Sequence, residues 1–513
     1  MTRKHLYRSA LLLVLALTAA VARADVRLSK MFSSHMVVQR DGPIHIWGWC
    51  APGETVSAKL DGTSATATGD EIGRWSLYLP PHAAGGPYQL SVTGSSTIVL
   101  DDILVGDVWF ASGQSNMEMP LKGFPGSAVI DHSAEEISHA NYPKMRLFLV
   151  RRRPSDFPLT DFADEASWTV CSPETAANFS AVAYFFARDL MPKEHVPIGV
   201  IDSTWGGTPA EAWVGFDGLS ADASLMPVFA ARAQMTDEQA NASARIAAEQ
   251  REDSAARNAN LPMPKHAWHP DPASWAPAAL YNGMIAPAVP FGIKGVIWYQ
   301  GESNSGAARA PLYEKVFSTL IANWREHWHE GNFPFLFVQI ANFKSSPAEA
   351  WPVIREAQRR TLSVVNTAMA VTIDIGNPDN VHPANKQDVG NRLSLAARAL
   401  AYGEPIEYSG PLFRQAMAES DGMRVWFNHI EGGLVAKGGT LQGFEIAGED
   451  HQFHTASARI DAGTVVVTNP QVARPVYVRF GWENSPVVNL YNSAGLPASP
   501  FTSEDKIPAP QEQ

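Results

Sequence analysis

The chain has 513 residues, of which 45% are hydrophobic, and it carries a formal net charge of −12 at pH 7. This length is enough to bury a large core and predicts two or three domains, and the acidic balance argues against nucleic acid as a partner. The only cysteines are Cys50 and Cys171, which excludes a disulfide framework and a Cys-based metal site but leaves a single disulfide between them open.

Residues 1–24 have the pattern of a secretory signal peptide. A basic segment precedes an apolar run at residues 10–21, and small residues follow at positions 22–24. The run is too short for a comfortable membrane span, and no later stretch reaches about 18 uninterrupted apolar residues. We therefore expect an exported protein, secreted or periplasmic in a bacterium, with no membrane partner after signal cleavage.

Short apolar runs separated by Gly, Pro and Asp turns occur near both ends of the chain. In residues 25–100 they include positions 44–47 and 88–92, a pattern typical of a small antiparallel β-domain. Residues 409–500 show the same pattern and predict a C-terminal β-rich region. Residues 501–513 are expected to form a disordered tail.

The central residues 101–408 alternate apolar runs with helix-length segments. The apolar runs are residues 196–201, 293–298, 333–340 and 369–373. This alternation predicts an α/β fold in which a parallel sheet is flanked by helices. Residues 216–277 interrupt the pattern, first with an Ala-, Gln- and Arg-rich segment and then with a Pro-, His- and Trp-rich one, and we interpret them as an insertion that is helical and then irregular.

A candidate nucleophile lies where an apolar run ends at residues 105–120, VGDVWFASGQSNMEMP. The run predicts a strand buried on both faces, and Gly113 allows a tight turn before the next side chain. Ser115 then lies at the carboxyl end of the strand, the edge at which open α/β sheets bind ligands. The first N–H groups of a following helix would point at a negative oxygen formed there.

A candidate base and acid follow about 270 residues later. Asp379 and His382 have the spacing D-x-x-H on one loop just ahead of a predicted helix. A serine hydroxyl needs a base, and the base needs an orienting acid, so this spacing predicts Asp379 on one ring nitrogen and Ser115 on the other. The alternative is a surface loop whose Asp caps the next helix.

Four motifs occur in one order along the chain. They are Gly113-Gln114-Ser115-Asn116-Met117, Trp205-Gly206-Gly207-Thr208, Trp298-Tyr299-Gln300-Gly301-Glu302-Ser303-Asn304, and His382-Pro383 with Asn385-Lys386-Gln387. Together they resemble the SGNH hydrolase superfamily, and specifically its sialate O-acetylesterase-like carbohydrate esterases. The resemblance extends from about residue 31 to about residue 491. It implies an SGNH-hydrolase-like sheet with accessory β-rich regions at both ends.

An esterase of this kind must stabilise the oxyanion that forms when serine attacks the carbonyl. We expect three donors: the backbone N–H groups of Ser115 and Gly207 and the side-chain amide of Gln300. Each follows a strand of the parallel set, so the three are expected to meet at one edge of the sheet. Gln300-Gly301-Glu302 departs from the superfamily's more common Asn-Asp pairing, which leaves open whether Gln300 or Asn304 is the side-chain donor.

Two further carboxylates are candidates for the orienting acid. Glu302 is within plausible reach of His382, and its alternative role is to hold the Gln300 loop by hydrogen bonds. Asp374 ends the last predicted strand, eight residues before His382. We expect Asp379 to be the acid and Glu302 to be a supporting residue.

Other aromatic and histidine residues have weaker functional interpretations. Trp205, Trp213, Trp268 and Trp275 lie in loops, where a minority are expected to stack on sugar rings and most to be core. His266, His269 and Asp271 lie in a Pro-rich loop and are expected to be solvated side chains, with no metal bound.

The resemblance implies a secreted serine esterase that removes O-acetyl groups from carbohydrate without a cofactor. We expect plant cell-wall polysaccharide, xyloglucan or xylan, because no Arg cluster is assigned to a sialate carboxylate and an acidic protein has no general reason to prefer an acidic sugar. The alternatives are a sialate O-acetylesterase, a non-catalytic carbohydrate-binding protein on the same fold, and a lipid or thioester hydrolase of the same superfamily.

Overall fold

The structure, a computed structural model, describes residues 25–125, 129–233, 236–264, 266, 269–346, 348–420 and 422–506. The signal peptide predicted for residues 1–24 lies outside the described residues, as does the end of the predicted tail. No helix within these ranges is long and apolar enough to cross a membrane.

Strands dominate both ends of the chain, and most of the helices lie between them. The strands are β1 (Arg27–Leu28), β2 (Val37–Gln39), β3 (Ile44–Trp49), β4 (Thr55–Leu60), β5 (Thr63–Thr68), β6 (Arg74–Leu79), β7 (Gly85–Thr93), β8 (Thr97–Gly113), β9 (Tyr142–Leu149), β10 (Trp168–Cys171), β11 (Ile198–Thr204), β12 (Gly295–Tyr299), β13 (Phe335–Val338), β14 (Thr367–Ala370), β15 (Leu412–Ala418), β16 (Met423–Asn428), β17 (Leu434–Ala436), β18 (Phe444–Ala447), β19 (His454–Thr455), β20 (Ser457–Asp461), β21 (Thr464–Thr468), β22 (Tyr477–Phe480), β23 (Leu490–Asn492) and β24 (Phe501–Thr502). The α-helices are α1 (Ser115–Glu118), α2 (Ser133–His139), α3 (Pro173–Ala177), α4 (Ala181–Glu194), α5 (Phe216–Ser220), α6 (Met226–Ala233), α7 (Thr236–Asn258), α8 (Tyr313–Trp328), α9 (Trp351–Thr361) and α10 (Gln387–Tyr402). Shorter helical turns are the 3₁₀ segments Ala210–Trp213, Ala223–Leu225, Glu302–Asn304 and Ala310–Leu312 and the π-helical Tyr281–Ile285.

The central sheet has the strand order β10-β9-β11-β8-β12-β13-β14, in which the neighbours are parallel except for the antiparallel pair β10 and β9. Every residue of β11, β12 and β13 is buried. Because successive side chains of a strand point to opposite faces, complete burial means that both faces of the sheet are covered. The predicted α/β architecture, with a parallel sheet flanked by helices, is confirmed.

Strand β8 joins the N-terminal strands to the central sheet. Its first six residues alternate between exposed and half-buried and its later residues are buried. It pairs with β7 through the first part and with β11 and β12 through the second. The expected boundary at residue 100 therefore falls inside one continuous strand, and the N-terminal strands share a hydrophobic core with the central sheet.

The C-terminal region is β-rich, as expected, and has a core of its own. Its strands form two four-stranded sheets and the pair β17 and β23, packed around residues that include Phe444, Phe480 and Phe501. The expectation of disorder from residue 501 is wrong for residues 501–506. Phe501 is fully buried in β24, and Glu504 bonds Arg479, so apolar burial and an ion pair fix this segment.

The insertion at residues 216–277 is helical first and irregular afterwards, as the sequence predicts. Helices α5, α6 and α7 fill its first two thirds, and the described residues between 259 and 277 form turns and irregular backbone. Leu225 and Val228 are buried against the core. The insertion therefore packs on the central region.

The two cysteines are both buried free thiols. The possible Cys50–Cys171 disulfide is therefore not formed. Burial raises the pKa of the Cys171 thiol to about 12, which leaves it protonated and unreactive at neutral pH.

Helices α4 and α10 approach each other closely at Gly390. A Cβ placed there would lie 2.6 Å from Phe185 Cβ and 2.7 Å from the Phe186 nitrogen. We predict that Gly390→Ala lowers the free energy of unfolding by about 1 kcal/mol or more, because overpacking outweighs the gain in helix propensity. Denaturant unfolding measures the change, and Gly42→Ala, where the added Cβ meets nothing within 4 Å, is the control. Equal stability of both variants would contradict the close helix contact.

Candidate active site

Ser115 lies at the carboxyl end of β8, as the sequence predicts. Gly113 has a φ of +134°, and a Cβ at this position would overlap the carbonyl oxygen of Tyr299 at the end of β12. The Gln114 N–H donates to the same carbonyl at 3.0 Å. Glycine is thus required where the two strands end side by side, and the chain turns there into α1 with Ser115 as its first residue.

His382 meets Ser115 across 267 residues of sequence. Its Nε2 lies 2.8 Å from Ser115 Oγ, and the Phe124 ring packs edge-on against the imidazole at 5.5 Å. Burial, with the positive charge of Lys386, lowers the pKa of His382 to about 4. The imidazole is therefore neutral at pH 7, the form that accepts a proton from serine.

Asp379 is not in contact with the imidazole in this structure. Its side chain is 84% exposed, and its carboxylate lies 3.7 Å from Lys344 Nζ. The main-chain N–H of Asp379 donates to Asn377 Oδ1, a turn that directs the side chain outward. Among the described residues, no carboxylate accepts a hydrogen bond from Nδ1 of His382, and the role of Asp379 as the orienting acid stays a prediction.

Glu302 is half-buried and takes part in a polar network beside the base. Its Oε1 accepts from Asn116 Nδ2 at 2.6 Å, and the same amide donates to the carbonyl of Val381 at 2.9 Å. Asn116 Oδ1 accepts from Lys386 Nζ at 2.5 Å. Burial raises the pKa of Glu302 and lowers that of Lys386 to about 7. Glu302 therefore holds loops together, which is the role that the sequence favours for it.

Asp374, the third candidate acid, has another partner. Its two carboxylate oxygens accept from Arg392 at 2.6 and 2.8 Å, a bidentate pair that occupies both of them. This pair ties the end of the sheet to α10.

The two main-chain donors predicted for the oxyanion flank the serine. A Cβ at Gly206 would lie 3.1 Å from Ser115 Cβ, so the Gly206–Gly207 turn is in contact with the nucleophile. Within the part of the chain that the structure describes, neither Ser115 N–H nor Gly207 N–H donates a hydrogen bond to the protein. Both are thus unengaged beside Ser115.

The Gln300 side chain is engaged elsewhere. Its Nε2 donates to Asn304 Oδ1 at 2.6 Å and to the Thr208 carbonyl at 3.3 Å, and its Oε1 accepts from the Tyr313 hydroxyl. Asn304 Nδ2 in turn donates to Glu211 Oε2. Gln300 is fully buried with both N–H groups used, so it is not free to bind an oxyanion in this structure and ties loops together instead. Asn304 is also buried, but only one of its two N–H groups has a partner among the described residues, and its role as the side-chain donor stays a prediction.

A cavity of about 720 Å³, the arginine cavity, adjoins the site through Glu118 of α1 and through Phe124, while Ser115 and His382 are not part of its lining. Its wall contains Arg151, Arg152 and Phe124, the last of which also packs on His382. Sequence analysis missed these arginines, although Arg151-Arg152-Arg153 is visible as a basic run. It also missed Asn116 and Lys386, which lie inside the four motifs but whose contacts depend on loops that are distant in sequence.

Comparison with known proteins indicates the family of this chain. Residues 266–400 match the family model described as carbohydrate esterase, sialic acid-specific acetylesterase. Rat sialate O-acetylesterase is 30% identical over an alignment that covers 96% of this chain and 97% of the rat protein. Human sialate O-acetylesterase is 32% identical over 75% of this chain and 73% of the human protein. A solved carbohydrate acetylesterase from Xanthomonas citri is 37% identical, with a TM-score of 0.80, over 94% of this chain and all of that one.

The chain belongs to the sialate O-acetylesterase family. It is an enzyme, a carbohydrate O-acetylesterase. The names of its relatives therefore argue against the alternative of a non-catalytic binding protein. The expected plant cell-wall substrate gains no support from these relatives, whose names fit the sialate alternative better.

The tryptophans of the esterase divide between core and loops. Trp213 is fully buried. Trp205 and Trp275 are half-buried beside the Gly206–Gly207 turn, and Trp268 lies outside the described residues. His266 bonds Asp253 at 2.9 Å, and the described residues contain no group of three metal-ligating side chains.

The identity of the acid in this esterase is testable with two isosteric variants. We predict that Asp379→Asn lowers kcat by roughly 10²- to 10⁴-fold, because the ion pair with Lys344 is weak and the carboxylate is free to turn to the imidazolium as it forms. Glu302→Gln should cost less than about 10-fold, since its amide oxygen still accepts from Asn116. Steady-state kinetics on variants with unchanged melting temperature and circular dichroism, with Ser115→Ala as the inactive reference, measure both. The reverse order of effects would assign the acid to Glu302.

The pH dependence of the esterase should report the environment of His382. Its neutral form is the active one and its pKa is lowered, so the acid limb of kcat/KM should lie below about pH 6. Lys386→Met removes a positive charge that disfavours the imidazolium, and it should move that limb upward by roughly 0.5–1 unit. Lys315→Met, which removes a surface lysine paired with Asp222, is the control. An acid limb near the ordinary histidine pKa of about 6.5, unchanged by Lys386→Met, would contradict the assignment of this limb to His382.

Proposed function

We propose that this esterase removes acetyl groups from O-acetylated sialic acids, with Ser115 as nucleophile and His382 as base. The observation that carries the proposal is the 2.8 Å contact between Ser115 Oγ and His382 Nε2. A cavity whose wall contains two arginines adjoins α1, the helix that begins with Ser115. The family model and the names of the mammalian relatives support the choice of sugar.

The reaction follows the chemistry of a serine hydrolase. His382 takes the proton of Ser115 as the hydroxyl oxygen attacks the acetyl carbonyl, and the sugar hydroxyl leaves with that proton. A water that His382 deprotonates then attacks the acetyl-enzyme, acetate leaves, and His382 returns the proton to Ser115 Oγ. The N–H groups of Ser115 and Gly207 stabilise the negative oxygen in both steps, and Asp379 stabilises the imidazolium.

Arg151 and Arg152 distinguish a sialic acid from a neutral sugar in this proposal. Arg152 is already paired with Glu118, whereas Arg151 forms no ion pair among the described residues. A guanidinium can donate two hydrogen bonds to the two oxygens of a sugar carboxylate. Arg151 is therefore the side chain that we expect to pair with an anionic substrate.

The charge balance of the arginine cavity favours a second candidate, a neutral acetylated carbohydrate. The acidic residues that line this cavity are Glu118, Asp164, Glu165 and Asp202. Arg152 neutralises Glu118, and burial raises the pKa of Asp202 to about 7, so that group is only partly charged. Glu165 lies 3.4 Å from Lys30 Nζ. Asp164 thus remains as an acidic group in the same lining as Arg151, which favours an uncharged sugar.

The finer fold assignment and the location complete the proposal. We infer an SGNH-type hydrolase domain from the motifs and from the serine at the carboxyl end of β8. The pattern of residues 1–24 supports export from the cytoplasm, which fractionation of cells that produce the full chain would test.

Acetate release from matched sugars tests the substrate. We predict kcat/KM at least about 10-fold higher for 9-O-acetylated N-acetylneuraminic acid than for acetylated xylan or xyloglucan, since a charge-assisted contact contributes about 1.5–3 kcal/mol. The methyl ester of the same sialic acid, which lacks the charge, and the variant Arg151→Gln should each remove most of that preference. Higher kcat/KM on acetylated xylan, or equal rates on the acid and its methyl ester, would overturn the sialate proposal in favour of a neutral carbohydrate.

A further inference from the structure

The Gly206–Gly207 turn is held from two sides by side chains that the proposed mechanism does not use. Glu118 Oε2 accepts from Gly206 N–H at 2.7 Å. Trp275 Nε1 donates to the Gly207 carbonyl at 2.6 Å. The peptide that joins the two glycines carries the Gly207 N–H, and the contacts lie on either side of that peptide.

Glu118 belongs to the element that presents the nucleophile. It lies on α1 three residues after Ser115, and its second carboxylate oxygen pairs with Arg152. The Arg152 guanidinium lies 5.8 Å from the centre of the Trp205 ring, just before the turn. Serine and turn are therefore connected through one short helix, so a shift of one moves the other.

Trp275 comes from the end of the insertion, at residues 269–277. Its ring is covered by the Arg309 guanidinium at 4.6 Å, and Arg309 is itself held by Glu211 at 3.0 Å. These contacts fix the plane of the indole and the direction of its N–H. The insertion thus contacts the Gly206–Gly207 turn through the N–H of Trp275.

A pair of glycines needs such external contacts. Without side chains, the peptide between them rotates more freely than any other, and Gly207 has a φ of +73°. An oxyanion donor acts through preorganisation, and loss of one donor typically costs roughly 10²- to 10³-fold in kcat.

We propose that Glu118 and Trp275 are positioning residues that clamp the Gly206–Gly207 peptide and so aim the Gly207 N–H at the oxyanion. The insertion therefore contributes to catalysis by holding this turn. The proposal rests on the serine esterase chemistry but not on the identity of the sugar, so it is tested with 4-nitrophenyl acetate.

The first variant is Trp275→Phe, which keeps an aromatic ring under Arg309 and removes only the N–H. We expect kcat to fall about 10-fold while KM changes less than about 2-fold, because the oxyanion contact strengthens only in the transition state. The matched control is Trp49→Phe, since the Trp49 ring is also covered by an arginine, Arg27 at 4.2 Å, in the N-terminal strands. A kcat equal to that of the control, or a rise in KM alone, would overturn the role of Trp275.

The second pair of variants is Glu118→Ala and Glu118→Gln. Alanine removes the acceptor for Gly206 N–H and should lower kcat at least as much as Trp275→Phe, whereas glutamine retains an acceptor oxygen and should restore most of the rate. Equal losses in both variants would indicate that only the charge of Glu118 matters, which overturns the clamp.

Binding of an alkylboronic acid separates positioning from general damage. Ser115 Oγ adds to the trigonal boron as its proton passes to His382, and the tetrahedral boronate that forms has a hydroxyl oxygen in the oxyanion position. Across the variants, its inhibition constant should rise in parallel with the loss of kcat/KM, with unchanged melting temperature. Boronate affinity that stays constant while kcat falls would exclude a role in orienting the Gly207 N–H. If the enzyme did not cleave acetylated sialic acid, only the sialate proposal would be overturned, because the clamp is tested with 4-nitrophenyl acetate and the boronic acid.

Discussion

The site depends on the side chain of Asn116 more than on any other single contact. Its amide donates to Glu302 after β12 and to the carbonyl of Val381, the residue before the base, and it accepts from Lys386 before α10. One buried amide next to the nucleophile thus joins α1 to two loops, the Glu302 loop and the loop that carries Val381, His382 and Lys386, which are far apart in sequence. The distance between Ser115 and His382 follows from this junction, because these bonds hold the loop that carries the histidine against α1.

The same network places unlike charges in the interior, where they are costly. Lys386 is buried and Glu302 is half-buried with its Oε2 enclosed. The pKa of the acid is raised and that of the lysine is lowered, and Glu302 Oε2 has no hydrogen-bond partner among the described residues. Each of these two groups bonds to Asn116, and desolvation offsets most of the attraction between unlike charges in such a site. The consequence here is electrostatic, because a positive charge near His382 favours the neutral imidazole that serine catalysis requires.

Membership of a motif does not by itself show what a residue of the site does. Gln300 and Glu302 are near neighbours in one motif, yet both serve to hold loops, and the donors left free beside the serine are main-chain N–H groups. Asp379 shows the opposite case, since its spacing from His382 is that of an orienting acid while its side chain lies in solvent. Spacing alone restricts which residues can meet, but competing hydrogen bonds decide which of them do.

The sequence by itself determined the α/β class, the strand that ends at Ser115, the pairing of Ser115 with His382 and the β-rich ends. These follow from the period of apolar residues and from local motifs, which are short-range properties of the chain. Only the tertiary structure decided that β8 continues through the expected domain boundary, that Phe501 is core and that Gln300 is fully bonded. It also decided that Arg151 lines a cavity shared with Glu118 of α1 and that Trp275 bonds the turn beside the serine. Each of these depends on partners tens to hundreds of residues away, because burial and hydrogen-bond satisfaction are properties of the packed whole and leave no local pattern in the chain.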